Sequence, residues 1–513
     1  MKNRIVLPEK LTIDNLIAEI KKYCGKEDVD MVRLAYDFAE NAHRGQMRVS
    51  GEPYIVHPLT TAYILALLRI DTNIIIAALL HDVPEDTGIT LEDIEKNFGA
   101  DVAGMVRGIT KLSRIKYRGV ERYIENLRKM FISMAEDIRV MIIKFADRTH
   151  NLLTLSAMPP DKQKRIALES LEIYAPIANR LGMGEFKGLL EDLSFKYVYP
   201  KEYERTQQIR DSIVAEEEEY LKTIMADVKK ELKLDDIKLL DIHGRKKRLY
   251  SLFTKLKQKN WDTEQVHDVV AVRMVVPSIG DCYAALGAIH KLWRPLKGRI
   301  KDYISQPKPN GYKSLHTTVF CEEGRVVEFQ IRTPEMHEEA EFGIASHWHY
   351  DENKDGHTRP PAKDISWAAE LARIQKEVLN NLSDLDVLKV DFFQNRIFVF
   401  TPKGDVIDLP ENATAVDFAY NIHSNIGNKC NGVLVNDQMV SLDTPLKSGD
   451  VVEVITDKNR KGPSRDWLKF VKTHAAREHI RQYLNVEKKS WLKNLIPPLP
   501  HMPHIRKKQK PAK

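Results

Sequence analysis

Three features of the sequence predict a multidomain chain of class α + α/β + α+β. Apolar residues recur at three- and four-residue spacing through residues 1–195, β-branched runs begin after Gly244, and a strand-strand-helix-strand-strand pattern fills residues 391–456. In the first part, Val29–His43, Leu59–Leu68, Ile74–His81, Glu121–Ala135 and Arg165–Leu181 read as helices, punctuated by Gly51–Pro53, Gly88 and Pro159–Pro160. Tyr203–Leu234 reads as a long, charge-rich connecting helix that packs one stripe inward. DVVAVRMVV (268–276), TTVF (317–320) and RVVEFQIRT (325–333) read as strands, with a helix over Asp281–Leu292 between the first two. In the last part RIFVFT and DVIDLP flank a hairpin at Pro402–Gly404. Thr414 then caps a helix over Ala415–Ser424 with Asp417 at its third position, and GVLVN and VVEVIT follow, which together suggest a β-grasp. A short helical piece over Trp467–Leu484 and a Pro/Lys tail (496–513) that reads as disordered close the chain.

Composition sets the outer bounds. At about 150 residues per domain, 513 residues with 43% hydrophobic and 30% charged content predict three or four domains. The longest apolar run, Ile74–Leu80, falls far short of the roughly 20 residues that span a bilayer. MKNRIVLPEK has neither an apolar core nor a small-residue cleavage site, so a cytoplasmic, non-membrane protein is expected. Cys24, Cys282, Cys321 and Cys430 form no CxxC pair, which argues against a zinc ribbon, a disulfide scaffold or a dithiol redox centre. A net charge of +6 is too small to imply DNA or membrane binding by itself.

A first chemical site is predicted in the helical part. His81 and Asp82 end an apolar helix, His57 lies 24 residues before His81, and Asp147 lies 65 residues after Asp82 in KFADRTHNLLTL. Two imidazoles and two carboxylates suit Mn²⁺, Fe²⁺ or Zn²⁺ better than a thiolate-preferring ion or a calcium cage. One turn on, Glu85 and Asp86 are placed to orient or deprotonate a water. A lone buried histidine is usually core; the order H…HDxxED…DRxHN inside one helical segment is what points to a metal.

These residues resemble the HD-type phosphohydrolases and, more narrowly, the RelA/SpoT-type bifunctional alarmone enzymes. The resemblance is carried by AHRGQMRVSGEPYIVHP (42–58), LLHDVPEDT (79–87), ITKL (109–112) and FADRTHNLLTL (145–155). It implies an all-helical HD domain over 1–195 with His57, His81, Asp82 and Asp147 holding Mn²⁺ and Glu85 and Asp86 as the catalytic pair. Arg48 would lie beside guanine, and Asn151 and Thr154 would contact sugar or phosphates. Val49 stands where relatives often have Lys or Ser. The implied reaction removes the 3′-diphosphate of (p)ppGpp, giving GDP or GTP and pyrophosphate.

A second site is predicted over 244–332. Arg245, Lys246, Lys247, Arg248 and Lys255 concentrate positive charge where a helix is expected to open, a position that favours phosphate. Asp268 and Glu328, on neighbouring strands, can hold Mg²⁺ and assist deprotonation of a hydroxyl. GRIKDYISQPKPNGYKSLHTT (298–318) supplies cations and a stacking tyrosine. A basic loop alone is more often a solvated face; its pairing with the acids and the basic helix in one α/β segment favours a nucleotide site.

This segment, with EFQIRTPEMHEEAEFGIASHW, resembles the nucleotidyltransferase-like, mixed-sheet synthetase domain of the same family, here 196–385 with its connecting helices. The resemblance implies pyrophosphoryl transfer from ATP to the 3′-hydroxyl of GDP or GTP. Arg245 and Arg273 would sandwich adenine, Lys247 and Lys255 would hold ATP phosphates, and Asp268 and Glu328 would bind Mg²⁺, Glu328 also serving in proton removal. Tyr312 would stack on guanine, Lys308, Asn310 and His316 would bind the acceptor nucleotide, and Gln330 and Arg332 would complete the wall. Arg299–Asp302 matches the basic RxKD form of two-way enzymes. Lys246, Arg248 and Lys313 depart from the usual residues, each adding positive charge.

Residues 391–456 resemble a TGS domain, with His423 at a position that in long family members faces deacylated tRNA on the ribosome; a histidine at a helix's negative end is the plain alternative. Residues 457–495 resemble only the start of the following helical region, so the resemblance is to a C-terminally short form in which ribosome docking is weakly supported. Two other readings stay open. One is a hydrolase whose synthetase fold is a nucleotide sensor; the other is a ribosome- or tRNA-associated regulator acting through TGS.

Overall fold

The computed structural model describes residues 7–113, 133, 136–263, 266, 269–308, 310–348, 396–403, 406–447, 449–473 and 475–484. The chain forms two compact units, one within Met1–Asn380 and one within Asn381–Lys513. All but Ser133 of the helix expected over Glu121–Ala135, together with Asp268 and the C-terminal tail, lies outside the described residues.

The first unit opens with α1 (Ile13–Ile20), α2 (Lys26–Ala42), α3 (Val56–Leu67), α4 (Thr72–Leu80), the single turn α5 (Val83–Asp86), α6 (Leu91–Ser113) and α7 (Arg139–Leu153). Helices α3 and α4 are apolar on nearly every side, so they form the centre of the bundle, with Leu59, Ile64, Leu65, Ile75 and Leu79 buried. The polar residues they carry are therefore drawn inside with them. The helix expected over Arg165–Leu181 breaks into α8 (Pro160–Glu169), a π-turn at Ser170–Tyr174 and α9 (Ala175–Arg180). Pro176 has no N–H to offer the carbonyl one turn back, and the wider turn accommodates that gap.

Next come α10 (Gly184–Val198) and α11 (Pro200–Leu234), the latter the expected connector, burying Val214, Leu221, Ile224, Val228 and Leu232. Strand β1 (Asp241–Lys246), helix α12 (Leu249–Gln258), β2 (Val270–Val275), α13 (Ile279–Leu292), β3 (Arg294–Pro295), β4 (Lys301–Asp302), β5 (Leu315–Phe320), β6 (Val326–Arg332) and α14 (Pro334–Phe342) complete the unit. The sheet has the order β1-β2-β6-β5-β3, with β4 also on β5; β2 and β6 run parallel and the remaining pairs antiparallel. Alternation divides the sheet into two faces. Val272, Met274, Leu315, Val319, Val327, Phe329 and Ile331 pack with α11 and α13 residues in one core. Ala271, Arg273, Glu328, Gln330, Arg332 and His316 occupy the other face, with Arg273 opposite Gln330 and His316 opposite Gln330 across the ladders.

The second unit pairs β7 (Arg396–Phe400) with β8 (Val406–Pro410), then adds α15 (Ala415–Ile422), α16 (Ser424–Lys429), β9 (Cys430–Val435), β10 (Gln438–Val440) and β11 (Val452–Thr456). The later strands form a sheet β10-β9-β11, joined to the first hairpin by a parallel bridge between Phe400 and Val451. Thr414 and Asp417 make the expected capping box, whereas the helix ends at Ile422 and α16 and β10 were not foreseen. Among the described residues, no helix is long and apolar enough to cross a membrane.

Candidate functional sites

Three helices converge on the first site. His57 sits in the first turn of α3, His81 caps the C-terminus of α4 with Asp82 next, and Asp147 faces inward from α7. His57, His81 and Asp147 are buried, and one ligand atom from each lies within 4.8 Å of the others. His57 Nε2 is 3.2 Å from Asp147 Oδ1 and 3.5 Å from Asp82 Oδ2, and His81 Nε2 is 3.2 Å from Asp82 Oδ1. His81 Nδ1 lies 2.7 Å from the Ala78 carbonyl, as a donor does, which turns the Nε2 lone pair toward the acids. That Nε2 is buried without a hydrogen-bond partner. A buried nitrogen that makes no hydrogen bond although a carboxylate oxygen stands 3.2 Å away fits a divalent cation, and the mixed N/O set suits one.

Electrostatics agree. Burial alone would raise the carboxyl of Asp147, but Lys144, 2.6 Å away, and the neighbouring imidazoles hold it well below the usual range. Burial likewise works against ionised Asp82, and His81 and His57 outweigh it. Burial pushes His57 down against the pull of Asp147 and Asp82, leaving a neutral imidazole able to coordinate.

The three expected substrate residues are also brought together. Arg48 donates to Asn151 Oδ1 at 3.1 Å and Thr154 Oγ1 at 3.4 Å, and Asn151 donates to Asp147 Oδ1 at 2.6 Å. Asp86 is exposed and 2.7 Å from the Tyr54 hydroxyl, which is also 3.0 Å from Asp82. Glu85 is half-buried on the same turn. Val49 is 69% exposed. Sequence reasoning passed over His150, Tyr54 and Lys144, although all three lie in or beside the segments that identified the site. Buried His150 places Nδ1 2.7 Å from His57 Nδ1 and 3.0 Å from Arg48 Nη1.

The second site is a cavity of about 410 Å³ above the polar face of the large sheet. Arg245, Lys247, Arg273, Lys308, Asn310, Tyr312, His316, Glu328, Gln330 and Arg332 all line it, as expected, whereas Lys255 does not. Arg332 donates to the Tyr312 hydroxyl at 2.5 Å, that hydroxyl lies 2.7 Å from His316 Nε2, and His316 Nδ1 lies 3.2 Å from Glu328 Oε1. Gln330 donates to the same Glu328 oxygen at 3.0 Å and accepts from Arg245 at 3.3 Å. Burial would raise Glu328, but His316 and Gln330 bring it down to about 2, so it is ionised. The Lys308 ammonium sits 4.8 Å from the Tyr312 ring centroid, and Asn310 gives its amide to the Asn179 carbonyl at 3.0 Å.

Arg245 and Lys246 lie on strand β1, Lys247 follows it, Arg248 is the N-cap of α12, and Lys255 sits in that helix's last turn, so only part of the cation run stands at the helix opening. One of that helix's first amides is already engaged, since Tyr250 N–H donates to Asp192 Oδ1 at 2.9 Å. The positive charge that Arg248 and Lys313 add is paired: Arg248 with Glu185 at 2.6 Å, and Lys313 with Glu339 at 3.3 Å.

The helical part supplies one wall of this cavity through Asn179, Gly182, Gly184, Lys187, Gly188 and Glu191. Gly182 has φ +72°, and a Cβ there would stand 2.9 Å from the Asn310 carbonyl oxygen. In the second unit His423 ends α15 and accepts from Asn425 N–H at 3.1 Å, capping α16; it is exposed.

Residues 35–184 match the HD domain, residues 244–355 the region found in RelA / SpoT proteins, and residues 397–456 the TGS domain. A buried His/Asp cluster in an HD domain, joined to that region's mixed sheet, defines the class. The chain is 45% identical over 474 residues to a GTP pyrophosphokinase of Myxococcus xanthus, covering 92% of this chain and 62% of that protein. It is 47% identical over 464 residues to a guanosine-3′,5′-bis(diphosphate) 3′-pyrophosphohydrolase of Aquifex aeolicus, covering 90% and 66%. It is 44% identical over 484 residues to a bifunctional (p)ppGpp synthase/hydrolase RelA of Mycobacterium tuberculosis, covering 93% and 65%. The chain carries the region found in RelA / SpoT proteins and spans just under two thirds of the length of each of these relatives.

Proposed function

We propose that the chain is a bifunctional alarmone enzyme, hydrolysing (p)ppGpp at the first site and synthesising it from ATP and GDP or GTP at the second. The observation that carries this reading is the convergence of buried His57, His81 and Asp147 with Asp82 beside them and His81 Nε2 making no hydrogen bond, in the same unit as a cation-lined cavity around ionised Glu328. The setting inferred is the cytoplasm, where those nucleotides are made and used.

In hydrolysis, His57, His81, Asp82 and Asp147 would hold a divalent cation, Mn²⁺ in our reading. When bound it supplies Lewis-acid activation of water and of the phosphoryl group. Glu85 and Asp86 take the water's proton, and Tyr54 holds Asp86 toward the site. Water oxygen attacks the phosphorus bonded to O3′, that P–O bond breaks, and O3′ gains a proton as pyrophosphate leaves. Arg48, Asn151 and Thr154 orient the nucleotide.

In synthesis, the 3′-hydroxyl of GDP or GTP attacks the β-phosphorus of ATP and AMP departs. Glu328 removes the hydroxyl proton and, with Asp268, would hold Mg²⁺, which neutralises phosphate charge when bound. Arg245 and Arg273 flank adenine, Lys247 faces the phosphates, Tyr312 stacks on guanine with Lys308, Asn310 and His316 beside it, and Gln330 and Arg332 close the wall; Lys255, outside the cavity lining, is left without a direct role. For the second unit we propose docking to the ribosome or deacylated tRNA through the His423 face. Removing residues 391–513 should then abolish any tRNA stimulation while leaving tRNA-independent synthesis intact.

The test is an assay of purified protein with ATP plus GDP or GTP, and separately with ppGpp plus Mn²⁺. His81→Ala should abolish only hydrolysis and Glu328→Ala only synthesis. Wild-type protein inactive in either assay would overturn that half of the reading.

A further inference from the structure

Four guanidiniums, those of Arg245, Arg248, Arg273 and Arg332, line the cavity of the transfer site, and Arg248 is already paired with Glu185. The side chains of Arg273 and Arg332 are 7% and 1% exposed, so neither charge is screened by bulk water. They project from adjacent strands on the same sheet face, where Val275 pairs with Arg332 and Arg273 lies two residues before Val275. Left alone they would repel each other. The carboxylate that meets both belongs to Glu341, in the last turn of α14, and nothing above assigns it a role. Its Oε1 accepts from Arg273 Nη1 at 2.8 Å and stands 3.5 Å from Arg332 Nη1. Helix α14 is itself seated firmly. Thr333 caps its N-terminus, and a Cβ on Gly184 of α10 would come within 2.7 Å of the Ala340 carbonyl oxygen, beside Glu341.

We propose that Glu341 is a positioning residue of the transfer site, clamping Arg273 on the donor side and Arg332 on the acceptor side at a fixed separation. This deepens the transfer reading and rests on it. The carboxylate repels phosphate, and the contacts it makes are to the two guanidiniums. Its contribution is alignment of two arginines that serve different substrates, and alignment within a ternary complex is read in kcat.

The experiment uses the full chain and its Glu341→Gln and Glu341→Asp variants, with ATP and GDP varied in turn. Glu341→Gln is expected to lower kcat for transfer by about 10-fold or more, with KM for ATP and GDP unchanged or lower because a negative charge has left the cavity. Glu341→Asp, which keeps the charge on a shorter arm, is expected to recover part of that loss. Hydrolysis of ppGpp by the same preparations reports that the unit is folded; if the Gln variant fails that check, the Asp variant decides by the same criterion of reduced kcat at unchanged KM. A kcat within twofold of wild type in a folded variant, or a loss confined to KM, overturns the proposal. Wild-type chain that makes no product overturns the transfer reading and this proposal with it.

Discussion

The imidazoles of His57 and His150 stack with centroids 5.0 Å apart, and their Nδ1 atoms approach to 2.7 Å. His57 Nε2 faces Asp82 and Asp147; with a cation held between them, the proton of a neutral His57 would belong on Nδ1, facing His150 Nδ1. The same His150 nitrogen lies 3.0 Å from Arg48, which also holds Asn151, which in turn holds Asp147. The residues proposed to bind the cation and those proposed to bind nucleotide are thus one hydrogen-bond network. Replacing His150 by Ala should weaken Mn²⁺ binding by about 10- to 100-fold, the usual cost of losing an outer partner of a coordinating histidine. Calorimetric titration of the nucleotide-free protein checks this, and an unchanged affinity would refute it.

Helix α10 serves both sites. It packs on α7, which carries Asp147, and lines the transfer cavity through Gly184, Lys187, Gly188 and Glu191. Arg248 of the α/β part holds it through Glu185 at 2.6 Å and Asp192 at 3.8 Å. A non-reactive ATP analogue should therefore slow ppGpp hydrolysis, by about fivefold or more if the coupling is of ordinary size, and Arg248→Ala should reduce that effect. Hydrolysis rates independent of the analogue would rule the coupling out.

Gly182 is the tightest joint between the helical part and the loop at Asn310. With φ at +72° and the Asn310 oxygen 2.9 Å from any Cβ, Gly182→Ala adds about 1–2 kcal/mol of backbone strain before the clash is counted. A Tm lowered by about 5 °C in differential scanning is expected, with a larger fractional loss in synthesis than in hydrolysis.

Stability at acidic pH should report Glu341. Burial would raise its carboxyl, but Arg273, Arg332, Arg245 and His337 bring it down to about 2 from an ordinary 4.5. A depressed carboxylate stabilises the fold fully above pH 4.5 and loses that contribution as pH falls toward 2, up to about 3 kcal/mol in all. The Tm gap between wild type and Glu341→Gln should be widest near neutrality, narrow below about pH 4.5 and close only as the pH falls through about 2. A gap that widens on acidification would contradict the sign.

Asp417 ties the TGS part to the segment after it. Fully buried, it accepts from Thr414 N–H and Oγ1, from Lys472 N–H, and from Thr473 N–H and Oγ1, at 2.7–3.0 Å. Asp417→Ala strands several buried donors and should cost at least about 3 kcal/mol. Hydrogen exchange would show it as lost protection at Lys472 and Thr473.

Much of the architecture was legible because local physics set it. The apolar runs of α3 and α4, the β-branched strands β2, β5 and β6, and the Thr414–Asp417 capping box each follow from period or composition alone. The break at Ser170–Tyr174 was missed because an apolar helical period masks a proline whose effect is felt on a carbonyl one turn earlier. Strand β1 was missed because its polar, glycine-containing sequence becomes a strand only by pairing with β2. Glu341 was one acid among several in PEMHEEAEF, and periodicity could not say which of them faces the arginines.

The sequence by itself marked out the side chains proposed to carry the chemistry of this protein and the order of its structural parts, because residue type and spacing are local properties. Only the tertiary structure decided that His150 backs His57, that Arg248 and Lys313 spend their charge on Glu185 and Glu339, and that a helix of the hydrolytic part walls the other site. Those are contacts between residues far apart in the chain, and packing rather than pattern selects them.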